Sequence, residues 1–301
     1  MKASTFRFLN RSIAATALIL ASAPQAFAAV TYDLTSPSNS VLIQGVYFFQ
    51  EGSTNATGSG VFNAFQNTQA GGLGGTQIGF NSDASGGNLY LDTKSASKEV
   101  FVDGAPVVSG PDDLSESVPA NNPIGGINYY AVALDINQNA ASGGGFLLSL
   151  DRLELWVHSA SVADPNTEAN LAGAANSRMV WSMDGNHTGG DGIDKEILFN
   201  YLTVSSGSGR SDMYFLFPQS LITGPESTYR FTLLSSFGAK GADYVANDGF
   251  EEWALVEGLS FNIPPVVPEP STYAAIGGLA AMFGAHGWSR VRRARRAAPA
   301  V

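Results

Sequence analysis

The sequence predicts an all-β body, two antiparallel sheets packed as a sandwich or jelly roll. Three observations point there. Short apolar runs recur between clusters of Gly, Asn, Asp, Ser and Pro. In residues 228–237, Tyr229, Phe231, Leu233 and Phe237 share one parity and Arg230, Thr232 and Ser236 the other. That is the pattern of a strand with a core face and a water face. Long helical periodicity is missing, apart from weak hints around 167–175 and 249–256. A parallel β-solenoid is the rival fold, but it would need a repeat of about 20–50 residues, and the chain has none.

The strands are predicted in order at 41–50, 88–92, 98–102, 127–137, 146–158, 178–183, 195–204, 213–217, 228–237 and 253–262. Residues 52–88 hold ten glycines and one charge, Asp83. Glycine permits unusual turns and buries little, so this stretch reads as rim loops with short strands at 61–65 and 76–80. In 146–158, Leu153, Leu155 and Val157 share a parity opposite to that of Leu148 and Leu150. Both sets reach one core only if a bulge lies near Asp151 or Arg152. His158 then falls outward with Arg152, Glu154 and Trp156, on a face that reads as solvated. Residues 110–123, with Pro111, Pro119 and Pro123, read as a loop.

Composition narrows the chemistry. Charged residues are 14% of the 301, against about 25% in an average soluble chain, and hydrophobic residues are 44%. The chain has no cysteine and three histidines. Disulfides, thiolate zinc sites, iron–sulfur ligation and a cysteine nucleophile are thereby excluded. All 26 acidic residues lie between Asp33 and Glu269, while eight of the 16 basic residues lie in the two ends. The acidic body repels phosphate backbones, so nucleic acid is not an expected partner.

The ends read as addresses. Lys2, Arg7 and Arg11 precede an apolar run at 12–21, and Ala26-Phe27-Ala28 follows. This is the layout of a signal peptide over 1–28, a helical leader cut after Ala28, with Ala26 and Ala28 as the small residues of the site. At the other end, Pro268-Glu269-Pro270-Ser271-Thr272 precedes an apolar stretch, 273–288, and an arginine cluster, 290–296. The prolines keep the first part extended. Ser271 or Thr272 caps the helix that follows. Tyr273 and Trp288 mark its ends, where amphipathic rings favour a membrane interface, and the arginines hold the terminus in the cytoplasm. The stretch is 16 residues and includes four glycines and His286, a short span suited to a temporary anchor.

In this order of parts the tail, 267–301, resembles that of the PEP-CTERM proteins, the bacterial surface proteins read by an exosortase. The resemblance covers the last 35 residues. It implies recognition through Pro268, Glu269 and Pro270 and through the cluster containing Arg292, Arg293, Arg295 and Arg296. It further implies an inner-membrane intermediate held by a short C-terminal transmembrane helix, then delivery to the envelope surface or an exopolysaccharide-rich biofilm matrix. Signal peptidase and exosortase are the processing partners it implies, and exopolysaccharide a further one. The body, 29–266, is then an extracytoplasmic domain.

Several residues of the body carry candidate chemistry. Asp184-Gly-Asn186-His-Thr188-Gly-Gly-Asp191 begins like a calcium loop. The twelfth position holds Lys195 where an EF-hand needs Glu, and Glu196 comes one step late, so the loop is not an EF-hand. Asp184, Asn186 and Asp191 are the candidate metal ligands, with calcium as the cofactor, and turn chemistry is the alternative. Two further oxygen-rich clusters are 135–139 and 247–252. Glu154, Glu196, Glu251 and Glu252 are available for glycoside hydrolysis, although Glu251 and Glu252 are adjacent and a strand would turn them to opposite faces. Trp156, Trp181, Trp253 and the tyrosines could stack on sugars in a carbohydrate-binding module, or fill the core. The expected function is a non-catalytic structural or adhesive surface protein. A lectin-like, calcium-assisted module is the alternative, and a glycosidase stands behind both.

Overall fold

Gln44 and Gly45 have φ angles of 49° and 86°. Two successive left-handed residues make the tight turn whose twist suits a hairpin, so the run at 41–50 folds back on itself as two strands. The computed structural model describes residues 29–36, 39–50, 64–68, 76–81, 100–101, 112–138, 145–160, 168–203, 211–223, 229–241, 243–247, 250–256 and 258–263. In chain order its strands are β1 (Val30–Leu34), β2 (Ser40–Ile43), β3 (Val46–Phe49), β4 (Ala64–Thr68), β5 (Gln77–Phe80), β6 (Val100–Phe101) and β7 (Asp112–Asp113). They continue as β8 (Tyr129–Asp135), β9 (Leu147–His158), β10 (Arg178–Ser182), β11 (Lys195–Asn200), β12 (Met213–Pro218), β13 (Arg230–Phe237) and β14 (Glu251–Leu255). One short helix, α1 (Glu168–Ala172), precedes β10.

The fold is all-β, with two sheets in which antiparallel pairing dominates. The first sheet runs β1-β11-β9-β13-β6-β7, with β10 also beside β9 and β5 beside β13. Two of its pairs, β1–β11 and β6–β7, are parallel. The second runs β2-β3-β12-β8-β14-β4, and all its pairs are antiparallel. One apolar cluster draws on both. Leu150, Leu155 and Phe231 come from the first sheet, and Phe48, Val132 and Trp253 from the second. Each large side chain buried there is worth about 1.5–3 kcal/mol relative to exposure.

The bulge expected near Asp151 is present. Ser236 pairs with Arg152 and Phe237 with Leu150, so Asp151 is left out of the ladder. Asp151 Oδ2 instead accepts the Ala239 N–H at 2.6 Å. Leu148 and Leu150 thereby join Leu153, Leu155 and Val157 in one core.

The outer face of the first sheet differs from the expectation of a solvated surface. Glu154, Trp156 and His158 are buried, as are Thr232 and Ser236. The reason is a second apolar cluster on that face, in which Leu171 of α1 packs with Phe80, Trp156 and Leu234. His158 Nε2 is within 2.8 Å of Thr232 Oγ1 and its Nδ1 within 2.7 Å of the Ala160 carbonyl.

A third cluster covers the outer face of the second sheet. Here the expected strand at 253–262 is corrected: β14 ends at Leu255, and 258–263 crosses the sheet instead. The helical hint at 249–256 is overturned too, because Glu251–Leu255 pairs with β8 and β4. Phe261 stacks edge-on against Tyr214, at 4.9 Å between centroids, and against Phe49 at 5.6 Å. Asn121 fixes the crossing by accepting the Phe261 N–H and donating to its carbonyl, at 3.2 and 2.9 Å.

Several expectations lie outside the described residues. These are the leader with Ala26 and Ala28, the strand at 88–92, most of 52–88, and all of 264–301. The last span includes Pro268, Glu269, Pro270, the 273–288 stretch and the arginines Arg292, Arg293, Arg295 and Arg296. Among the described residues no helix is long and apolar enough to cross a membrane.

Candidate functional site

The segment from Met183 to Asp194 joins β10 to β11, and glycines shape it. Gly185, Gly189 and Gly192 have φ of 66°, 87° and 64°, where side chains are disfavoured. The loop closes on itself as Gly192 N–H donates to the Gly185 carbonyl at 3.1 Å and Gly190 N–H to the His187 carbonyl at 3.0 Å. His187 Nδ1 accepts the Ser182 N–H at 3.0 Å while its ring stacks on Trp181. Burial holds that imidazole below its ordinary pKa.

Within this loop the structure places the three candidate metal ligands apart in role. Asp184 Oδ1 accepts the backbone N–H of Lys195 at 2.9 Å. Asn186 is exposed. Asp191 Oδ1 accepts from Gln44 Nε2 at 3.0 Å, from Ile193 N–H at 3.1 Å and from Lys195 Nζ at 2.6 Å. The residue at the twelfth position therefore brings its own positive charge to the loop. Burial raises Asp184 to about 6, and the nearby Asp194 carboxylate works in the same direction. Burial also opposes the charge on Asp191, but the Lys195 ammonium and the Ile193 amide outweigh it and hold Asp191 below the ordinary value. Among the described residues no group of three or more His, Cys, Asp or Glu is placed to hold a metal ion.

The described residues of the other two oxygen-rich clusters, 135–138 of the first and 250–252 of the second, do come together. Glu252 pairs with Asp135 across β14 and β8. One residue earlier, Glu251 faces the interior with no solvent exposure. Gln138 Nε2 donates to Glu251 Oε1 at 2.9 Å. Gln77, from β5 in the first sheet, makes a side-chain hydrogen bond to the same carboxyl. Burial pushes Glu251 well above the ordinary carboxyl pKa, and the negative charge of Asp135 adds to the effect. Beside it, Gln66 Nε2 donates to Thr68 Oγ1, the Gly79 carbonyl and Ser235 Oγ, and Trp253 Nε1 donates to the same serine. The result is a polar seam inside an apolar interior, bridging both sheets. The glutamines escaped the sequence reading because carboxylate and Asn spacing was the signal sought. The available sign was Gln66 and Gln77 standing among inward-facing residues of short strands.

The remaining carboxyls are held in place. Glu154 is bound by Arg152 at 2.6 Å and by Trp156 Nε1 at 2.9 Å. Glu196 is bound by Lys240 and by Thr31 Oγ1. Glu251 is buried and Glu252 half-buried, on opposite faces of β14. The three tryptophans named for sugar stacking are core residues: Trp156 is 7% exposed, and Trp181 and Trp253 are 0%. The large apolar side chains exposed among the described residues are Ile127, Ile193 and Leu202, all aliphatic.

Comparison with known proteins finds no family model, no curated protein and no solved structure that matches the chain.

Proposed function

We propose that the chain is an exported, non-catalytic protein of the bacterial surface or extracellular matrix, with a jelly-roll-like β-sandwich body. The observation that carries this reading is the ordered set of signals at its ends. A basic, apolar, small-residue leader opens the chain, and Pro268-Glu269-Pro270, an apolar stretch and an arginine cluster close it. The body supports the reading in two ways. Phe261 and Asn121 pin 258–263 to the second sheet, and four residues, 264–267, separate Ile263 from Pro268. In sequence the proposed processing motif thus lies just past the last described segment. The interior placement of the tryptophans and the ion pairs on Glu154 and Glu196 favour a structural role over sugar stacking or carboxyl chemistry.

In this account signal peptidase removes 1–28, the 273–288 helix holds an inner-membrane intermediate, and an exosortase acts at the Pro268-Glu269-Pro270 region. Exopolysaccharide is the proposed neighbour after release. Cell fractionation of the native chain and of a triple variant (Pro268→Ala, Glu269→Ala, Pro270→Ala) tests the account. The native chain should reach the surface fraction while the variant accumulates in the inner membrane. Equal release of both would overturn it.

A further inference from the structure

The loop between β10 and β11 carries Asn186-His187-Thr188, which fits Asn-x-Ser/Thr with a residue other than proline in the middle. This is the acceptor pattern for a glycan joined to an asparagine amide. The pattern is short and recurs by chance, so its place in the fold decides its meaning. The chain holds it three times. Asn10-Arg11-Ser12 lies in the leader, and Asn55-Ala56-Thr57 lies outside the described residues. At 186–188 both Asn186 and Thr188 are exposed, while His187 between them is half-buried. The ties that hold the loop run through its other residues. Asp184 accepts the Lys195 N–H, His187 accepts the Ser182 N–H and stacks on Trp181, and Asp191 accepts from Gln44 and Lys195. A bulky group on Asn186 breaks none of these. A Cβ built on Gly189 or Gly192 would meet nothing within 4 Å, so open space borders the turn. An acceptor on a surface turn held between two paired strands is one that a large transferase can reach.

We propose that Asn186 is the covalent attachment site of a glycan, with Thr188 as the second residue the transferase recognises. The proposal rests on the export reading, since the pattern serves as an acceptor in an exported chain. The donor class is an oligosaccharide carried on a lipid diphosphate. Asn186 Nδ2 bonds to the anomeric carbon of the first sugar. The bond from that carbon to the diphosphate oxygen breaks, and the lipid diphosphate leaves with its electron pair. The amide gives up one proton to the transferase, and nothing is oxidised or reduced. The product is a bulky hydrophilic group on the β10–β11 turn, which suits a body that is delivered among polysaccharide.

Peptide mapping of the full chain, recovered from the surface or matrix fraction of its own cells, tests this. Trypsin cuts after Arg178 and Lys195, so residues 179–195 form one peptide in which Asn186 is the only asparagine. Electron-transfer fragmentation keeps a glycan on its side chain and locates it. The native peptide should carry sugar mass on Asn186. Asn186→Gln and Thr188→Val should each abolish it, and Thr188→Ser, which keeps the hydroxyl, should retain it. Circular dichroism confirms that each variant is folded. If Asn186→Gln does not fold, the native peptide and the Thr188→Val and Thr188→Ser pair decide. A bare peptide from an exported chain that has lost its leader overturns this proposal and leaves the export reading standing. A chain found only in the cytosol with its leader in place overturns both. Sugar located on Ser182 or Thr188 instead of Asn186, or sugar that persists on Asn186 in Thr188→Val, also overturns it.

Discussion

Lys195 Nζ lies 2.6 Å from Asp191 Oδ1 although the lysine side chain is only 2% exposed. An ammonium taken this far out of water depends on its acceptors, here Asp191 Oδ1 and the Ile193 carbonyl at 3.1 Å. The two partners are not equivalent, because Asp191 is 38% exposed. Asp191→Ala strands a buried cation and should cost about 3–5 kcal/mol. Lys195→Met keeps the stem and returns Asp191 to water, so it should cost less, about 1.5 kcal/mol or below. Urea unfolding of both variants checks the order, and equal costs would refute it.

Asp184 gives the fold a pH dependence of definite sign. Its folded pKa of about 6 exceeds its ordinary value of 3.8. Between those values the folded chain retains a proton that the unfolded chain has lost. Its contribution to stability is therefore fully present below about pH 4 and is lost as pH rises through 6. Asp184→Asn keeps an oxygen for the Lys195 N–H and cannot ionise. Compared with native protein in chelator, this variant should be more stable at pH 7–8, with a flatter profile between 4 and 6. A native-like slope in the variant would contradict the assignment.

The loop also rests on a close backbone approach. A Cβ on Gly190 would lie 2.3 Å from the Gly185 carbonyl oxygen and 2.6 Å from its carbon. Backbone cannot swing aside as a side-chain tip does. Gly190→Ala should therefore destabilise by about 1–3 kcal/mol, whereas Gly189→Ala, with open space around it, meets only the strain of its positive φ. Thermal unfolding of the two variants tells them apart.

Much of the strand pattern was legible because alternation and turn residues are local signals. Asp151 is the clearest case: a change of parity within one run marked the bulge, and the structure places it there. What lies over a face is not local. Alternation grouped Glu154, Trp156 and His158 on one side, but nothing in that pattern told of Leu171 arriving to pack on Trp156. Phe250, Trp253 and Ala254 have helix-like spacing, and pairing with β8 and β4 overrode it. β1 was missed because Val30–Leu34 is short and carries Asp33. Of the candidate sites, the Asp184 loop was visible as a contiguous motif. Gln77, Gln138 and Glu251 come from three distant segments, and only tertiary pairing gathers them.

Phe261 holds the final described segment to the body. Its ring is 2% exposed and packs against Phe49 and Tyr214. Phe261→Ala should cost about 3–5 kcal/mol if the segment unfolds with the rest of the molecule. Limited proteolysis should show earlier cleavage within 258–263 than in native protein. Unchanged cleavage there would mean that the crossing is not held by this ring.

The central claim is that both ends serve delivery and the acidic β body is what arrives. Intact mass spectrometry of the chain recovered from the surface or matrix fraction tests this most directly. The account expects a species that starts at Ala29 and lacks the arginines of 290–296. A full-length chain of 301 residues, recovered from the cytosol with both ends in place, would contradict it.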